Sequence, residues 1–342
     1  MIRVAVGISG GVDSTAAVAF LKEKGYEPIG VFLKMHDQSG EEAARQAAQE
    51  LKIPFHMVDL TARFEEKVLR PFAKMYKMGQ TPNPCVLCNP AVKFAGLMEA
   101  AKELGCARIA TGHYAAIEER CGRHFVRRIS GQKKDQSYML YGLSEEILSR
   151  LILPMGAFDQ KDRVRDFAEE RGLSAAKAKD SMDLCFLPAE QSHGEFIKAY
   201  TGSAPNEGEI RTKEGEILGR HKGICNYTVG QRRGLGVAAD QRLYVTALLP
   251  DEDAVILGPK EEIMKTTVYL RDAVWHCALP QEGLTAKIRY RDQDAPVKVE
   301  ILPENRAVLH FESPKSAPAP GQSAVVYWQD LLLGGGIIDH YE

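Results

Sequence analysis

Two cysteines three residues apart have the spacing of a reactive pair. Cys85 and Cys88 lie in the run TPNPCVLCNP, residues 81–90. The Asn-Pro that ends this run offers a good helix N-cap and a good first helical residue, which predicts a helix over 90–104 with Cys88 just before its start. The positive end of a helix favours the thiolate, the form that acts as a nucleophile or metal ligand. The loop therefore predicts a catalytic, redox or metal-binding pair, although two thiols do not complete a zinc site.

A third cysteine, Cys185, stands in the run DSMDLCF, residues 180–186. Taken alone, a cysteine between leucine and phenylalanine is more often a buried packing residue. The odd total of seven cysteines and the lack of secretion-signal features near the N-terminus predict reduced thiols in the cytoplasm. No apolar run reaches membrane-spanning length, so we expect no membrane association. Four cysteines have no comparable setting and are interpreted as structural: Cys106, Cys121, Cys225 and Cys277.

The run SGGVDS, residues 9–14, has the features of a phosphate-binding loop. It follows the apolar run Val4–Ile8 and precedes a helical pattern over Thr15–Lys24. A strand–glycine turn–helix exposes backbone N–H groups at the positive end of the helix, and two serines add hydroxyl donors. Asp13 is a candidate ligand for Mg²⁺ shared with phosphate oxygens. The run is neither a Walker loop nor a GxGxxG motif, and a tight turn without a ligand is the alternative.

This loop resembles the PP-loop of ATP pyrophosphatases, which cleave ATP between the α and β phosphates and adenylate a carbonyl oxygen. Nearly the whole chain resembles the bacterial and mitochondrial tRNA-specific 2-thiouridylase family. The further motifs that carry this resemblance are TPNPCVLCN (81–89), ATGHYA (110–115), KKDQSYML (133–140), DSMDLCF (180–186), YTVGQRRGLG (227–236), IRYRD (288–292), PGQSAVVY (320–327) and LGGGII (333–338).

The resemblance implies ATP-dependent 2-thiolation of the wobble uridine of tRNA, by a tRNA-uridine 2-sulfurtransferase that adenylates the C2 oxygen. It assigns ATP binding to Gly7, Ile8, Ser9, Gly10, Gly11, Val12, Asp13, Ser14, Leu33 and Gly112. It assigns contacts with tRNA to Asn83, Pro84, Cys85, His113, Lys134, Asp135, Gln136, Arg289, Tyr290 and Gln322.

The resemblance also assigns the sulfur chemistry. Cys185 would carry the incoming sulfur as a persulfide, and Cys88 would release it and end in a Cys88–Cys185 disulfide. The sulfur donor would be a cysteine desulfurase or a sulfur-relay protein. The best-known branch of the family has aspartate at the position of Cys85. Three thiolates here could instead hold a 4Fe–4S cluster with one open iron for a sulfide, and the sequence leaves both mechanisms open.

Strand and helix patterns alternate up to about residue 200, which predicts an α/β domain with a parallel sheet. Short, closely spaced strands follow and indicate a small barrel or sandwich. A proline-rich segment, 313–320, is predicted to be a loop. We expect an α/β PP-loop (adenine nucleotide α-hydrolase-like) domain with a parallel sheet over 1–202, a small central mixed domain over 203–264 and a C-terminal β-barrel over 265–342.

The net charge gives no sign of a nucleic-acid partner, but the positions of the basic residues along the chain do. The 342 residues include 44 Lys plus Arg and 46 Asp plus Glu, a net charge of −2, whereas nucleic-acid binders often carry a basic excess. Two segments, 120–134 and 220–233, hold basic residues and no acidic ones. Beside the tRNA-contacting motifs we interpret them as phosphate tracks rather than ordinary solvated faces.

Two other functions share parts of this pattern. Another PP-loop synthetase would need the phosphate-binding loop but neither Cys85–Cys88 nor Cys185. A non-enzymatic RNA-binding module would use the β-rich tail but not the ATP loop. Cleavage of ATP to AMP that depends on tRNA distinguishes the thiolation enzyme from both.

Overall fold

The computed structural model describes residues 1–36, 40–129, 131, 134–158, 160–178, 184–188, 190–239 and 241–342. Backbone contacts divide the chain into two compact units. The first unit comprises Met1–Val68, Cys85–Phe186 and Asp330–Leu333. The second comprises Leu69–Pro84, Leu187–Gln329 and Gly334–Glu342. Within the described ranges, no helix combines the length and apolar character needed to cross a membrane.

The first unit is built on a five-stranded parallel sheet. Across the sheet the strands are Phe55–Asp59, Glu27–Lys34, Arg3–Gly7, Arg108–Ala110 and Leu151–Ile152. Val4, Ala5 and Val6 of the central strand are fully buried, as expected for a parallel strand whose two faces are both covered by helices. The predicted α/β fold is confirmed.

Helices and one hairpin complete the first unit. Ala16, Ala17 and Val18 of the first helix are fully buried, because small side chains let this helix pack closely. The antiparallel hairpin was not predicted; its strands are Ala116–Arg120 and Arg123–Arg127. The helical segments are Val12–Glu23, Glu41–Glu50, Thr61–Phe64, Glu65–Leu69, Pro84–Cys88, Asn89–Phe94, Ala95–Glu103, Ser137–Leu140, Glu145–Leu148, Pro154–Ala157, Lys161–Glu170 and Ser174–Lys177.

The second unit contains a four-stranded sheet and several helical segments. The sheet has the strand order Tyr244–Leu249, Ala254–Gly258, Gly208–Thr212 and Ile217–His221. Its buried core includes Ile210, Val245 and Val255. The helical segments are Arg70–Lys77, His193–Thr201, Ile224–Asn226, Pro250–Glu252 and Lys260–Ile263.

Six strands of the C-terminal region form a closed barrel, because the first strand also pairs with the last. Around the barrel they are Met264–Trp275, Arg306–Ser316, Ala295–Leu302, Leu284–Lys287, Ser323–Trp328 and Leu331–Tyr341. The predicted barrel is confirmed.

The proline-rich segment of the barrel differs from the prediction. The strand Arg306–Ser316 enters the segment 313–320 that was predicted to be a loop. Its register against the neighbouring strand jumps from Lys315 to His310. Pro314 therefore lies in an irregularity of the ladder, where a residue without an N–H group is tolerated.

Candidate active site

The phosphate-binding loop, residues 8–14, connects the central strand to the first helix. Gly11 is the helix N-cap, and Ser9 N–H donates to Ser14 Oγ at 3.1 Å. Ser14 Oγ in turn donates to Gly11 O at 3.1 Å. The two serine oxygens lie 3.1 Å apart, and Ser9 must be the donor of this contact because the single Ser14 proton is already used. These hydrogen bonds within the loop fix its shape at the positive end of the helix.

Two glycines of the site occupy positions that no side chain fits. Gly10 has φ +77°, and a Cβ atom there would lie 2.5 Å from the backbone carbon of Ala43. A Cβ atom on Gly112 would lie 2.9 Å from the backbone carbon of Asp13 and from the backbone nitrogen of Ser14. Both glycines therefore permit the close approach of backbone segments that gives the loop its shape.

Asp13 is oriented by a hydrogen-bonded chain. Tyr114 OH donates to Asp13 Oδ1 at 2.5 Å. Tyr114 N–H donates to Gln136 Oε1 at 3.0 Å, and Gln136 N–H donates to Tyr114 O at 2.7 Å. One carboxylate oxygen of Asp13 is thereby fixed, which leaves the other as a ligand for a cation. A single carboxylate together with phosphate oxygens suits Mg²⁺, so the residues present fit the predicted metal role of Asp13.

A cavity of about 510 Å³ lies over this loop. Its wall contains most of the predicted ATP-binding residues, namely Gly7, Ile8, Ser9, Gly11, Asp13, Ser14, Leu33 and Gly112. Gly10 and Val12 are not in the wall, since Gly10 packs on Ala43 and Val12 is buried. The sequence reasoning did not identify several other wall residues, which are Val31, Phe32, Met35, His36, Gly40, Lys93 and Thr111.

The helix that carries Cys85 and Cys88 begins earlier than predicted. One helical segment runs through Pro84–Cys88, Asn89–Phe94 and Ala95–Glu103, and we call it the thiol helix. The prediction of a helix starting at residue 90 was wrong. Pro84 provides the N-terminal proline instead, and the middle stretch is a π-helical turn whose wide ladder accommodates the internal proline.

Cys88 consequently lies inside a helix and not before one. Its side chain is buried at 7% exposure, and its Sγ lies 3.8 Å from Met35 Sδ. Burial raises the pKa of the Cys88 thiol to about 12, and the nearby Cys185 and Cys85 sulfurs raise it further, while Lys93 lowers it. The expectation that a helix N-terminus favours the Cys88 thiolate is therefore corrected: desolvation dominates and the resting group is a protonated thiol.

Of the three candidate cysteines, Cys185 lines the cavity over the phosphate-binding loop, whereas Cys85 and Cys88 are not in its wall. Cys185 remains exposed, while the surrounding protein atoms and the Cys85 sulfur raise its pKa. Burial likewise raises the pKa of Cys85. The mutual influence of these pKa values means that Cys85, Cys88 and Cys185 are neighbours. Residues 180–183 of the DSMDLCF motif lie outside the described residues.

The structure does not test whether the three thiols could hold a 4Fe–4S cluster. Among the described residues, no three His, Cys, Asp or Glu side chains are already grouped so as to hold a metal ion. A 4Fe–4S cluster needs at least three converging thiolates. The cluster mechanism therefore stays a prediction, and we derive no step through it.

His113 and Gln136 are the predicted tRNA contacts that line the cavity. The His113 Nδ1 atom lies 2.7 Å from Thr111 Oγ1, and its ring stacks on Phe94. Burial, assisted by Lys93, holds the pKa of His113 well below its usual value, so this imidazole is neutral at pH 7.

Asp135 and Lys134 stand next to Gln136 on the loop that precedes the helical turn at residue 137. The Asp135 carboxylate accepts hydrogen bonds from the N–H groups of Ile129 and Ser137 and from the Ser137 hydroxyl, at 2.5–3.2 Å. Lys134 is exposed. The structure therefore assigns Asp135 to closure of its own loop, while Lys134 faces solvent.

The predicted tRNA contacts of the second unit hold backbone segments in place. Arg289 Nη2 donates to Val229 O at 2.8 Å and to Ala317 O at 2.5 Å. Gln322 Nε2 donates to Thr81 O at 2.8 Å. This last bond fixes the start of the loop that leads through Asn83 and Pro84. Tyr290 is half-buried and follows Arg289.

The two basic segments differ in their ion pairing. In the first, Arg120 and Arg127 both pair with Glu118, and Arg128 pairs with Asp330. Lys133 of this segment lies outside the described residues. The second segment has four exposed cations that form no ion pair with a described residue, namely Arg220, Lys222, Arg232 and Arg233. The second segment is therefore the better candidate for binding phosphates.

Three family models match consecutive parts of the chain. They are described as a tRNA methyl transferase HUP domain over residues 2–189, a tRNA methyl transferase PRC-barrel domain over 194–259 and an aminomethyltransferase β-barrel domain over 265–338. The order of the three models agrees with the parallel sheet, the small sheet and the closed barrel.

Curated relatives match nearly end to end. A protein of Clostridium botulinum (strain Okra / Type B1), "tRNA-specific 2-thiouridylase MnmA 1", is 40% identical over 98% of each chain. A protein of Clostridium tetani with the same name is 40% identical over 99% of this chain and 97% of its own. One from Clostridium acetobutylicum, "tRNA-specific 2-thiouridylase MnmA", is 39% identical over 98% and 99%.

Proposed function

Because the chain belongs to the tRNA-specific 2-thiouridylase family, we propose that it uses ATP to replace the C2 oxygen of the wobble uridine of tRNA with sulfur. One observation carries the proposal: a single cavity is lined both by the phosphate-binding loop and by the Cys185 thiol. ATP activation and sulfur delivery need to act on the same carbon atom. Sulfur transfer requires such a thiol, whereas methyl transfer does not.

The first step is adenylation of the base. The backbone N–H groups at the start of the first helix would orient the ATP phosphates. The C2 oxygen attacks the α-phosphorus and pyrophosphate leaves, which converts a poor leaving group into AMP. Asp13, fixed by Tyr114, would hold Mg²⁺, and this ion would neutralise the departing pyrophosphate. Leu33 and Gly112 contribute to the wall that receives the nucleotide.

The second step moves the sulfur. The persulfide on Cys185 supplies the outer sulfur, which bonds to C2 while the C2–O bond breaks and AMP leaves. Cys88 bonds to Cys185 Sγ, and the bond between that atom and the transferred sulfur breaks. The two cysteines are oxidised to a disulfide while the transferred sulfur is reduced to the level of sulfide. An external thiol must then reduce the disulfide before the next turnover.

Contacts with tRNA in this proposal follow the sequence prediction. Asn83, Pro84 and Cys85 would meet the target base, which must leave the anticodon stack to reach the cavity. The remaining contacts are those predicted from the sequence, namely His113, Lys134, Asp135, Gln136, Arg289, Tyr290 and Gln322. The exposed cations of segment 220–233 would add phosphate contacts, so binding should weaken with salt.

The sulfur reaches Cys185 from outside the chain. A cysteine desulfurase or a sulfur-relay protein would transfer a persulfide sulfur to the exposed Cys185 thiol. The reaction uses reduced thiols and tRNA, so the proposed location is the cytoplasm.

The protein is first loaded with persulfide sulfur by sodium polysulfide and freed of excess reagent. The proposal is then tested by incubating it with ATP, Mg²⁺ and a tRNA transcript that carries a wobble uridine. Nucleoside mass spectrometry should detect 2-thiouridine, and AMP should form only when tRNA is present. ATP cleavage with a small acid as acceptor and without tRNA would indicate a PP-loop synthetase. Iron and sulfide bound after anaerobic reconstitution, together with activity that requires them, would favour the cluster mechanism.

A further inference from the structure

The thiol wall of the cavity carries a cation that the sequence motifs do not include. Among the described residues that line the cavity, Lys93 is the one lysine or arginine. It is half-buried, and it forms no ion pair with a described carboxylate. Lysine is seldom buried without a partner, so a half-buried ammonium facing a cavity that receives anions indicates a role in the reaction.

The π-helical turn of the thiol helix determines where Lys93 lies. Lys93 lies in the π-helical turn Asn89–Phe94, five residues after Cys88, and its backbone N–H faces the Cys88 sulfur. The Lys93 charge also acts on the Cys85 and Cys185 thiols and lowers the pKa of each of the three groups. One cation is therefore shared by all three sulfurs.

The phosphate side of the cavity is already supplied with donors. The first N–H groups of the helix that follows Gly11 are available there, whereas the Lys93 charge acts on the Cys85, Cys88 and Cys185 thiols. We propose that Lys93 is a positioning residue for sulfur transfer, whose ammonium group is the counter-charge for the sulfur anion passing from Cys185 to the base. This inference rests on the proposed function.

The transfer step creates negative charge on sulfur at a definite moment. When Cys88 bonds to Cys185 Sγ, the electron pair of the breaking S–S bond stays with the outer sulfur, which is bonded to C2. One of the two thiol protons ends on N3 of the base, and the other is released with AMP. A fixed cation stabilises this charge in a desolvated site more strongly than water does. Lys93 should therefore affect sulfur transfer more than adenylation.

The experiment compares wild type, Lys93→Met, Lys93→Arg and the matched control Lys102→Met. Lys102 lies on the exposed face of the same thiol helix. Each protein is treated with sodium polysulfide, freed of excess reagent and mixed with tRNA transcript and ATP·Mg²⁺. Pyrophosphate, which reports adenylation, and 2-thiouridine, which reports sulfur transfer, are measured in a single turnover, and KM for ATP is measured by pyrophosphate release.

We expect Lys93→Met to slow 2-thiouridine formation about 10- to 100-fold, while the rate of pyrophosphate release and KM for ATP stay within about threefold of wild type. Lys93→Arg should recover most of the rate, since it keeps the charge, and Lys102→Met should match wild type. If Lys93→Met does not fold, Lys93→Gln takes its place.

Three results would overturn the inference. The first is unchanged sulfur transfer in both Lys93→Met and Lys93→Gln. The second is a large rise in KM for ATP with normal sulfur transfer at saturating ATP, which would make Lys93 a phosphate ligand. The third is an equal loss in Lys102→Met. Failure of the wild type to form any 2-thiouridine would instead overturn the proposed function.

Discussion

The cavity of the first unit has two walls that depend on different parts of the structure. On the nucleotide side, the loop at residues 8–14 is shaped by short-range hydrogen bonds between Ser9, Gly11 and Ser14. On the thiol side, the environment of Cys88 consists of Met35, which follows the strand Glu27–Lys34, the neighbouring thiols and Lys93. Local sequence therefore determines phosphate binding, whereas tertiary burial determines the reactivity of the thiols.

The largest expected effect is a loss of sulfur transfer on the thiol side without a loss of adenylation on the nucleotide side. Cys88→Ser and Cys185→Ser should each lower 2-thiouridine formation by roughly three orders of magnitude or more, as loss of a nucleophile does. Adenylation should persist in both, because the phosphate-binding loop is intact. Pyrophosphate release measures adenylation, and nucleoside mass spectrometry measures sulfur transfer.

Cys85→Ser is the comparison variant, because serine keeps the size of the side chain that would meet the base while removing the third sulfur. At saturating tRNA it should stay within about threefold of wild type. Equal loss in all three variants would mean that the thiols act as one set of ligands, contrary to the relay.

One added methyl group in the phosphate-binding loop should disrupt ATP binding on the nucleotide side. Gly10→Ala adds a Cβ atom 2.5 Å from the Ala43 backbone at φ +77°. We expect a loss of stability of about 1–3 kcal/mol from strain and a fall in ATP affinity of tenfold or more, at about 1.4 kcal/mol per factor of ten. Chemical denaturation and titration calorimetry measure both.

Gly25→Ala serves as the control, because Gly25 has φ +80° with open space around its Cβ position. Its stability should fall by about 1 kcal/mol, with ATP affinity unchanged. ATP affinity reduced equally in both variants would show that the loop position has no special importance.

The alkylation rate of Cys88 as a function of pH tests whether burial controls the reactivity of the thiol side. With a pKa raised to about 12, alkylation of Cys88 by iodoacetamide should accelerate about tenfold per pH unit from neutral pH upward without levelling below pH 11. Exposed Cys121 should react faster at pH 7. A plateau for Cys88 near neutral pH would show that the helix or Lys93 outweighs burial.

The raised pKa of Cys88 also makes the free energy of unfolding depend on pH. Above the ordinary cysteine pKa of about 8.5, the unfolded chain loses the Cys88 proton while the folded chain retains it. The free energy of unfolding should therefore fall as pH rises from about 9 to 12 and should not change through this group below that range. Denaturation of Cys88→Ala, which removes this part of the pH dependence, checks the sign.

The smallest effect concerns the support of Asp13. Tyr114→Phe removes the hydrogen bond to Asp13 Oδ1, and a hydrogen bond of this kind contributes about 1–2 kcal/mol. We expect KM for ATP·Mg²⁺ to rise a few-fold, with sulfur transfer at saturating ATP unchanged. Tyr26→Phe, at a partly buried aromatic of the core, is the control. A selective loss of sulfur transfer would contradict the division between the walls.

The features that depend on short-range sequence patterns were predicted correctly. The parallel sheet, the barrel and the position of the phosphate-binding loop are confirmed because strand–turn–helix signals are local. The start of the thiol helix was missed, since two prolines competed for it and tertiary packing selected Pro84. The pKa of Cys88 could not be predicted, because burial depends on residues distant in sequence such as Met35. Lys93 was not identified from the sequence, because it lies in none of the motifs that identified the other site residues.

One measurement tests the central claim that a single cavity activates the base and delivers the sulfur from Cys185. The protein is loaded with a ³⁴S-labelled outer sulfur on Cys185 and mixed with ATP, Mg²⁺ and a tRNA transcript in one turnover. We expect the label to appear in 2-thiouridine only when ATP is present, together with a Cys88–Cys185 disulfide. Unlabelled 2-thiouridine, or labelled product formed by Cys185→Ser, would contradict the account.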